Sequence, residues 1–511
     1  MGELYFGGHI LTMEDGPAPQ AVAIANGKIV FTGTLQTAKK QFSDFLPRDL
    51  HGHTLMPAFI DTHSHITALA STLRLVPLQD ARSFDDIVQM LKAHDTQEEW
   101  IIGFGYDHNL LVEGRHPDKT VLDAVSADRP VMITHVSGHM GVLNSAALQQ
   151  LHVDGQASKG TGGNIARMDD GTLSGYLEEN AFMKYAAAVP QPDVERMSAL
   201  LQQAQQIYFR YGITTIQDGL TKRPEFDMLV FADEKGLLQA DVIGYADMQQ
   251  APELLYARKT PGRFRMGGYK IFLDGSPQSK TAWLTAPYEG GGDCGYSVHT
   301  DTQVRAFVRQ ARQEGAQLLA HCNGDAAAQQ LIDAFDGAFD TNRPVMIHAQ
   351  TVRPEQLEQM RQIGMIPSFF IAHIYHWGDV HLRNLGMHRA QRISPAGSAQ
   401  RLGLPYTFHQ DTPVLPPDML QTVWCAVHRR TRDGVLLGAG EQITPWQALE
   451  AVTRHAAYQY FEEDQKGTIR TGKLADLVEL RDNPLDCADL RQIQIIKTIR
   501  RGEVLFEAGE E

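Results

Sequence analysis

Short apolar runs that end in polar residues recur through the central part of the chain, and most of them are followed by stretches with helical periodicity. Such runs predict strands at 55–61, 212–218, 240–247, 267–275, 316–322, 343–350, 365–371 and 404–411. Strands that alternate with helices are typical of βα units and a parallel sheet. Because eight is the strand number of a (β/α)8 barrel, the pattern predicts an α/β fold with a TIM-like barrel.

The interval between the first two predicted strands, residues 67–211, is much longer than an ordinary crossover connection. It must therefore hold an insertion. Within it, RPVMITHV has the composition of a strand, and GTGGNIARMDDGTLSG predicts a loop or hairpin.

Both ends of the chain show short alternating strands separated by glycine turns. They include AVAIANGKIVFTG near the start and IIKTIRRGEVLFEAG near the end. We expect residues 1–54 and 466–511 to form one small β-sandwich domain, with the barrel spanning 55–465 between them.

Composition and charge argue against nucleic acid and membranes as partners of the protein. The 511-residue chain carries a formal net charge of -15, whereas nucleic-acid binding requires clustered Lys and Arg. No apolar stretch approaches the roughly 20 residues that span a bilayer. The four cysteines form no C-x-x-C pair, so neither a disulfide framework nor a thiolate zinc site is indicated. We therefore expect a cytoplasmic protein with a small-molecule substrate, and a homodimer stays open.

The stretch FIDTHSHI places two histidines at the end of the first predicted barrel strand. Side chains two positions apart on a strand leave the same face, with Cα atoms roughly 6.6 Å apart, so His63 and His65 can converge on one cation. Two buried histidines without a metal are an equally good interpretation of these residues alone.

Other polar residues occupy equivalent places on later strands. They are Lys270 on the fourth, His321 on the fifth, His348 on the sixth and Asp411 on the eighth. Active sites of such barrels lie at the carboxyl ends of the strands, so these side chains are expected to meet. An unpaired charge in an apolar strand is costly, and a bound metal offsets that cost.

Several motifs in order resemble one family over nearly the whole chain. They are LMPAFIDTHSHI, RPVMITHVSGHMGVLNSAAL, YKIFLDGS, LLAHCNGDAA, VMIHAQ, HQDTPV and GTIRTGKLADLVEL. The sequence is similar to members of the amidohydrolase superfamily, and within it to amidohydrolase family 3, the YtcJ-like branch that includes N-substituted formamide deformylase.

The resemblance implies a divalent metal site, with zinc favoured and one or two ions. It assigns His63, His65, Lys270, His321, His348 and Asp411 as ligands. It also implies that Asp411 is catalytic and that Lys270 reacts with carbon dioxide to form a bridging carbamate. The alternative for Lys270 is an ion pair with Asp274.

Weaker candidates surround this set. His139 matches a histidine of the family's insertion and could contact substrate, although packing is an equal alternative. His373 and His376 follow the seventh strand and could also bind substrate. Asn323 and Asp325 could orient imidazoles or cap a helix. The sequence indicates surface or structural roles for His116, His299, His381 and His388.

Three hypotheses about function follow. The first is a metal-dependent amidohydrolase that cleaves a non-peptide carbon–nitrogen bond, with N-formyl or N-acyl compounds favoured by the resemblance. The second is hydrolysis of an ester, lactone or cyclic amidine by the same chemistry. The third is a non-catalytic regulatory protein on the same scaffold.

Overall fold

The computed structural model describes residues 2–94, 99–135, 140–154, 164–190, 192–258 and 262–509. Two compact units make up the chain. One combines Met1–Leu69 with Leu201–Glu511, and the other is Ala70–Leu200. Among the described residues, no helix is both long and apolar enough to cross a bilayer.

Eight parallel strands form the central sheet of the larger unit, and each overlaps one of the predicted apolar runs. In chain order they are Phe59–Ile60, Ile213–Thr221, Asp241–Asp247, Phe264–Phe272, Gln317–Cys322, Val345–His348, Ile366–Phe369 and Thr407–Phe408. Strands adjacent in the sheet are consecutive in this order. Beyond the strand ends, His65 N donates to the Thr412 carbonyl oxygen (2.8 Å) and Asp411 N to that of His63 (3.2 Å). The prediction of a TIM-like barrel is confirmed.

Amphipathic helices follow the barrel strands. In helix Asp301–Gln313 the Thr300 hydroxyl accepts from Gln303 N, and the buried positions recur at helical spacing. The other α-helices of this unit beyond the second strand are Arg223–Glu234, Asp325–Ala334, Pro354–Ile363, His373–Ala390, Ala396–Arg401, Met419–His428, Pro445–Ala451 and Arg454–Gln459. Short 3-10 helices lie at Pro252–Tyr256, Ala439–Glu441 and Leu490–Gln492.

Both chain termini contribute to a β-sandwich, as predicted. One sheet contains Glu3–Phe6, Ala21–Ala25, Lys28–Gly33 and Leu46–Asp49, and helix Leu35–Gln41 lies beside it. The second contains His9–Ile10, Thr54–Pro57, Leu477–Leu480, Ile495–Arg500 and Glu503–Glu507. Met56 faces Val478 in an antiparallel pair. Apolar side chains of both sheets share one core, which contains Tyr5, Val22, Leu55 and Ile499.

The insertion forms the second compact unit around a mixed sheet. Its strands, in sheet order, are Asn164–Arg167, Leu173–Glu178, Met140–Leu143, Val131–His135, Ile101–Tyr106 and Leu75–Pro77. Its helices are Phe84–Ala93, Lys119–Asp123, Ser145–Gln150 and Glu179–Ala186. Successive strand residues alternate between two cores, with Ile101 in one and Ile102 in the other. The unit begins within helix Ile66–Thr72 and ends within helix Val194–Arg210, so the predicted span 67–211 includes residues of both units.

Candidate metal centre

All six residues predicted as metal ligands lie at the carboxyl ends of barrel strands. His63 and His65 follow the first strand, and Asp411 follows the eighth. Lys270, His321 and His348 lie within the fourth, fifth and sixth strands, near their ends. Parallel strands that close into a barrel bring these ends to one face. We refer to these six residues as the barrel cluster.

The Asp411 carboxylate lies between the histidines of the first and sixth strands. Its Oδ1 is 3.4 Å from His63 Nε2 and 3.4 Å from His65 Nε2, and its Oδ2 is 3.9 Å from His348 Nε2. Two ligands of one tetrahedral zinc ion, each about 2.0–2.1 Å from the metal, are about 3.4 Å apart. The spacing around Asp411 therefore fits a shared cation.

His321 and His348 form a second pair of facing nitrogen atoms. His321 Nδ1 lies 3.0 Å from His348 Nε2. His321 Nε2, on the other side of the ring, is 3.2 Å from the Gly275 carbonyl oxygen and 3.1 Å from Asn323 Nδ2. Asn323 therefore contacts a predicted ligand, which is where a residue that orients an imidazole must lie.

Lys270 is buried beside His63. Its Nζ is 3.3 Å from His63 Nε2. Burial lowers the pKa of the Lys270 amine to about 7, because desolvation penalises its charged form. Asp274 accepts instead from the backbone N–H groups of Trp283 (3.0 Å), Asn323 (2.9 Å) and Gly324 (2.7 Å). An ion pair between Lys270 and Asp274 is not present among the described residues.

Gln217, on the second barrel strand, fixes the tautomer of His63. Its Nε2 donates to the Thr62 carbonyl oxygen (2.7 Å) and to the Tyr460 hydroxyl (2.9 Å). Its Oε1, 2.6 Å from His63 Nδ1, must therefore accept. His63 Nδ1 carries the proton, and the lone pair of Nε2 faces Asp411. Gln217 was not among the predicted residues, although it lies near the end of the apolar run 212–218.

His409 is a further buried histidine at this face, and it was not among the residues predicted from the sequence. Its Nε2 is 3.2 Å from His348 Nδ1, and its Nδ1 is 2.9 Å from Ser368 Oγ. Burial lowers the pKa of His409 to about 3, so the ring is neutral near pH 7. A signal existed in the sequence, because His409 precedes Asp411 by two positions, as His63 precedes His65.

The backbone at two predicted ligands adopts an unusual conformation. The φ angles of His348 (71°), the following Ala349 (46°) and Asp411 (55°) are positive. Residues with a side chain rarely occupy this left-handed region, at a cost of about 1–3 kcal/mol each, and such strain concentrates at functional sites. The fold therefore tolerates strain where the candidate ligands meet.

The charge states of the barrel cluster suit a divalent cation. Burial holds the pKa values of His63 and His348 well below the ordinary histidine value, so both imidazoles are neutral. Burial alone raises the pKa of the Asp411 carboxyl. At a pH low enough to charge the imidazoles, His63 and a hydrogen bond from His65 outweigh burial and hold that pKa well below its usual range, so the carboxylate is ionised near pH 7. Neutral imidazoles and an ionised carboxylate are the donors that zinc and similar metals take.

The remaining predicted residues differ in how close they lie to the cluster. His373 is buried, with its ring centroid 4.5 Å from that of Phe370, which in turn is 5.3 Å from that of His409. His376 Nδ1 accepts from the Arg432 guanidinium (2.9 Å). His139 lies outside the described residues.

Asp325 does not orient a ligand imidazole. Its carboxylate accepts from Thr285 N (2.9 Å) and from the Arg353 guanidinium, at the start of helix Asp325–Ala334. The sequence placed Asp325 close to His321 along the chain, but the helix turns its side chain toward Thr285 and Arg353.

Comparisons with known proteins agree with the geometry. The profile of the amidohydrolase family matches residues 48–506. The chain is 26% identical over 532 residues to the putative amidohydrolase YtcJ of Bacillus subtilis (strain 168), which covers 99% of this chain and 100% of that protein. It is 24% identical over 520 residues to the N-substituted formamide deformylase of Arthrobacter pascens, over 96% of this chain and 95% of that one.

A solved structure has the same fold. An uncharacterized metal-dependent hydrolase from Pyrococcus furiosus superposes with a TM-score of 0.80 at 24% identity, over 95% of this chain and 100% of that chain. The family match extends over most of the sequence and includes every residue of the barrel cluster. The chain therefore belongs to the amidohydrolase family.

Proposed function

We propose that the protein is a metal-dependent amidohydrolase that cleaves a carbon–nitrogen bond, other than a peptide bond, in a small molecule. The observation that carries the proposal is the position of the Asp411 carboxylate, 3.4 Å from the Nε2 atoms of both His63 and His65. N-formyl and N-acyl amines are the first substrates to test, because one relative is named an N-substituted formamide deformylase.

The barrel cluster divides into two sets of ligands. His63, His65 and Asp411 would hold one divalent ion, and His321 with His348 would hold a second. A carbamate on Lys270 would supply an anionic oxygen to each ion. Zinc accepts oxygen donors of this kind together with imidazole and carboxylate ligands. When bound, such ions lower the pKa of a water molecule and polarise the substrate carbonyl.

Asp411 is the proposed general base and acid. It stays ionised because its pKa is held below the ordinary value, so it can accept the proton of the attacking water. The same carboxyl then donates that proton to the leaving nitrogen. Its backbone N–H donates to the His63 carbonyl oxygen, which fixes the carboxylate relative to the first-strand histidines.

Exposure within the cluster indicates the side from which substrate approaches. The side chains of His63 and His348 are only 2% and 4% exposed, whereas those of His65, His321 and Asp411 are 25%, 17% and 16% exposed. The first two therefore line the floor of the site. A substrate carbonyl would meet the three more exposed groups.

Metal analysis coupled to a hydrolysis screen tests the proposal. We expect bound divalent metal in the purified protein and turnover of at least one N-formyl or N-acyl amine. Asp411→Asn should lower kcat/KM by about 10²- to 10⁴-fold, because the general acid and base is lost. The matched control is Asp227→Asn, on the exposed face of helix Arg223–Glu234. Metal content and activity of the control should equal those of the wild type.

Each other outcome identifies an alternative. Full activity of Asp411→Asn contradicts the proposed role of this carboxylate. Turnover of esters or lactones without any cleavage of a carbon–nitrogen bond indicates the second class of hydrolase. A protein without metal that hydrolyses nothing in the screen indicates a regulatory protein on this scaffold.

A further inference from the structure

A second group of histidines with a carboxylate lies in the compact unit Ala70–Leu200. Asp107 and His108 directly follow strand Ile101–Tyr106, and His135 ends strand Val131–His135. These two strands are parallel neighbours, with His135 opposite Tyr106. Parallel neighbours end at the same edge of a sheet, so the polar residues at their carboxyl ends meet. We refer to Asp107, His108 and His135 as the insertion cluster.

Three atoms of the insertion cluster form a small triangle. His108 Nδ1 is 3.2 Å from His135 Nε2, His135 Nε2 is 3.6 Å from Asp107 Oδ1, and His108 Nδ1 is 3.9 Å from the same oxygen. The nearest point equidistant from the three atoms lies in their plane, about 2.1 Å from each, which is the length of a zinc–nitrogen or zinc–oxygen bond. The triangle therefore has the size that one cation requires.

Neighbouring side chains hold the carboxylate and one imidazole in place. Asp107 Oδ1 accepts from Asn109 N and from Asn109 Nδ2, both at 2.9 Å. The ring of His116 stacks on that of His108, with 3.9 Å between centroids, and the buried Tyr106 hydroxyl lies 3.0 Å from His116 Nδ1. The sequence indicated a surface or structural role for His116, and the structure gives it the task of supporting His108.

Tyr106 also supports the second imidazole. Its ring meets that of His135 edge to face, with 5.3 Å between centroids. Side chains that fix the orientation of an imidazole are typical of metal sites, because a ring that is already ordered loses less conformational entropy when the metal binds. Both histidines of the cluster thus contact residues that restrict their rings.

We propose that Asp107, His108 and His135 bind a divalent transition metal, with zinc as the expected ion. Two imidazoles and one carboxylate are the donor set of many zinc sites that keep a fourth position for water or another ligand. The side chains of Asp107 and His108 are each 28% exposed, so a hydrated ion can enter from solvent. The insertion cluster shares no residue with the barrel cluster and belongs to the other compact unit.

Metal stoichiometry tests the proposal without any measurement of activity. Wild-type protein and the His135→Gln and His108→Gln variants are stripped by a chelator, dialysed and titrated with zinc or cobalt. We expect each variant to bind one ion per chain fewer than the wild type, whatever number the barrel cluster holds. The cobalt-loaded variants should also lack one component of the visible absorption of the wild type, because cobalt spectra report the ligand set.

A control and a second readout keep the outcome decisive. His94→Gln, at the end of helix Phe84–Ala93 in the same unit, should bind as much metal as the wild type. Zinc should raise the Tm of the stripped wild type more than that of His108→Gln, which replaces the more exposed of the two histidines and therefore perturbs folding least. Equal metal content, cobalt spectra and zinc-induced Tm shifts in all four proteins would overturn the proposal. They would also show that the cluster is held by hydrogen bonds alone.

Failure of this inference and failure of the proposed function are distinguishable. Loss of one ion in His135→Gln supports the insertion site even if no substrate of the barrel cluster is ever found. Conversely, a protein that hydrolyses amides but binds the same number of ions with and without His135 retains the barrel chemistry and excludes the insertion site.

Discussion

The barrel cluster and the insertion cluster arise from the same rule but differ in what holds them. In both, polar residues at the carboxyl ends of adjacent parallel strands meet at one edge of a sheet. The barrel cluster draws on the first, fourth, fifth, sixth and eighth strands, whereas the insertion cluster draws on two. A closed barrel thus collects donors that are far apart in sequence, and an open sheet collects fewer.

The contacts that support the candidate ligands differ in the same way. In the barrel, His63 is oriented by Gln217 from another strand, and His348 contacts His409. In the insertion, Asp107 is held by Asn109, only two residues later, and His108 by His116. Long-range support depends on the whole fold, so the barrel cluster should be the more rigid of the two. We expect it to bind metal more tightly and to exchange it more slowly.

The largest effect that separates the clusters should come from Lys270, which has no counterpart in the insertion. Lys270→Met would remove the proposed carbamate, and with it an anionic ligand of the proposed metal ions, so kcat/KM should fall by about 10²- to 10³-fold. Steady-state kinetics on any substrate found in the screen measures this. The one ion per chain that is lost in His135→Gln should still be bound in Lys270→Met.

Chemical rescue makes the Lys270 prediction specific. A short carboxylate such as formate can take the place of a carbamate, so added formate should restore part of the activity of Lys270→Met. Lys235→Met, at the exposed end of helix Arg223–Glu234, is the matched control and should resemble the wild type with and without formate. If Lys270→Met is as active as this control, Lys270 has no part in catalysis.

A smaller effect should follow from the support of His63. Gln217→Leu removes the acceptor for His63 Nδ1, so metal affinity should fall by about 10- to 100-fold. Competition with a chromogenic chelator measures the Kd. Gln217→Glu keeps an acceptor oxygen but loses the donor to Thr62 and Tyr460, so it should bind metal nearly as well as the wild type. Equal weakening in both variants would show that the lost donor, and not the tautomer of His63, matters.

Much of the barrel site could be predicted from sequence because its signals are local. Each predicted ligand ends an apolar run, and the alternation of side chains on a strand puts His63 and His65 on one face. The same rule applied to IIGFGYDH and VMITH also selects Asp107, His108 and His135. A local pattern does not predict which residues form hydrogen bonds with the candidate ligands. Gln217 and His63 are 154 positions apart, and only barrel closure makes them neighbours.

Asp325 illustrates the opposite limit. Its position two residues beyond the LLAHCN stretch allowed a role beside His321 as well as helix capping, and the first turn of a helix carries its carboxylate to Thr285 and Arg353. Direction along a helix changes by about 100° per residue, so proximity in sequence says little about which group a side chain reaches. Residues two positions apart point to the same side of a strand, whereas in a helix they point in very different directions.

The smallest expected effect concerns the support of the insertion cluster and rests on the proposed metal there. Tyr106→Phe keeps the buried ring that meets His135 but removes the hydroxyl 3.0 Å from His116 Nδ1. One hydrogen bond is worth about 0.5–1.5 kcal/mol, and His116 acts on the metal only through the stacked His108, so zinc affinity at this site should fall less than tenfold. Zinc titration of the stripped protein, with Tyr185→Phe in the same unit as the control, measures the change. A loss as large as that of Gln217→Leu would contradict the contrast between the clusters, since it would mean that local support in the insertion controls metal binding as strongly as long-range support does in the barrel.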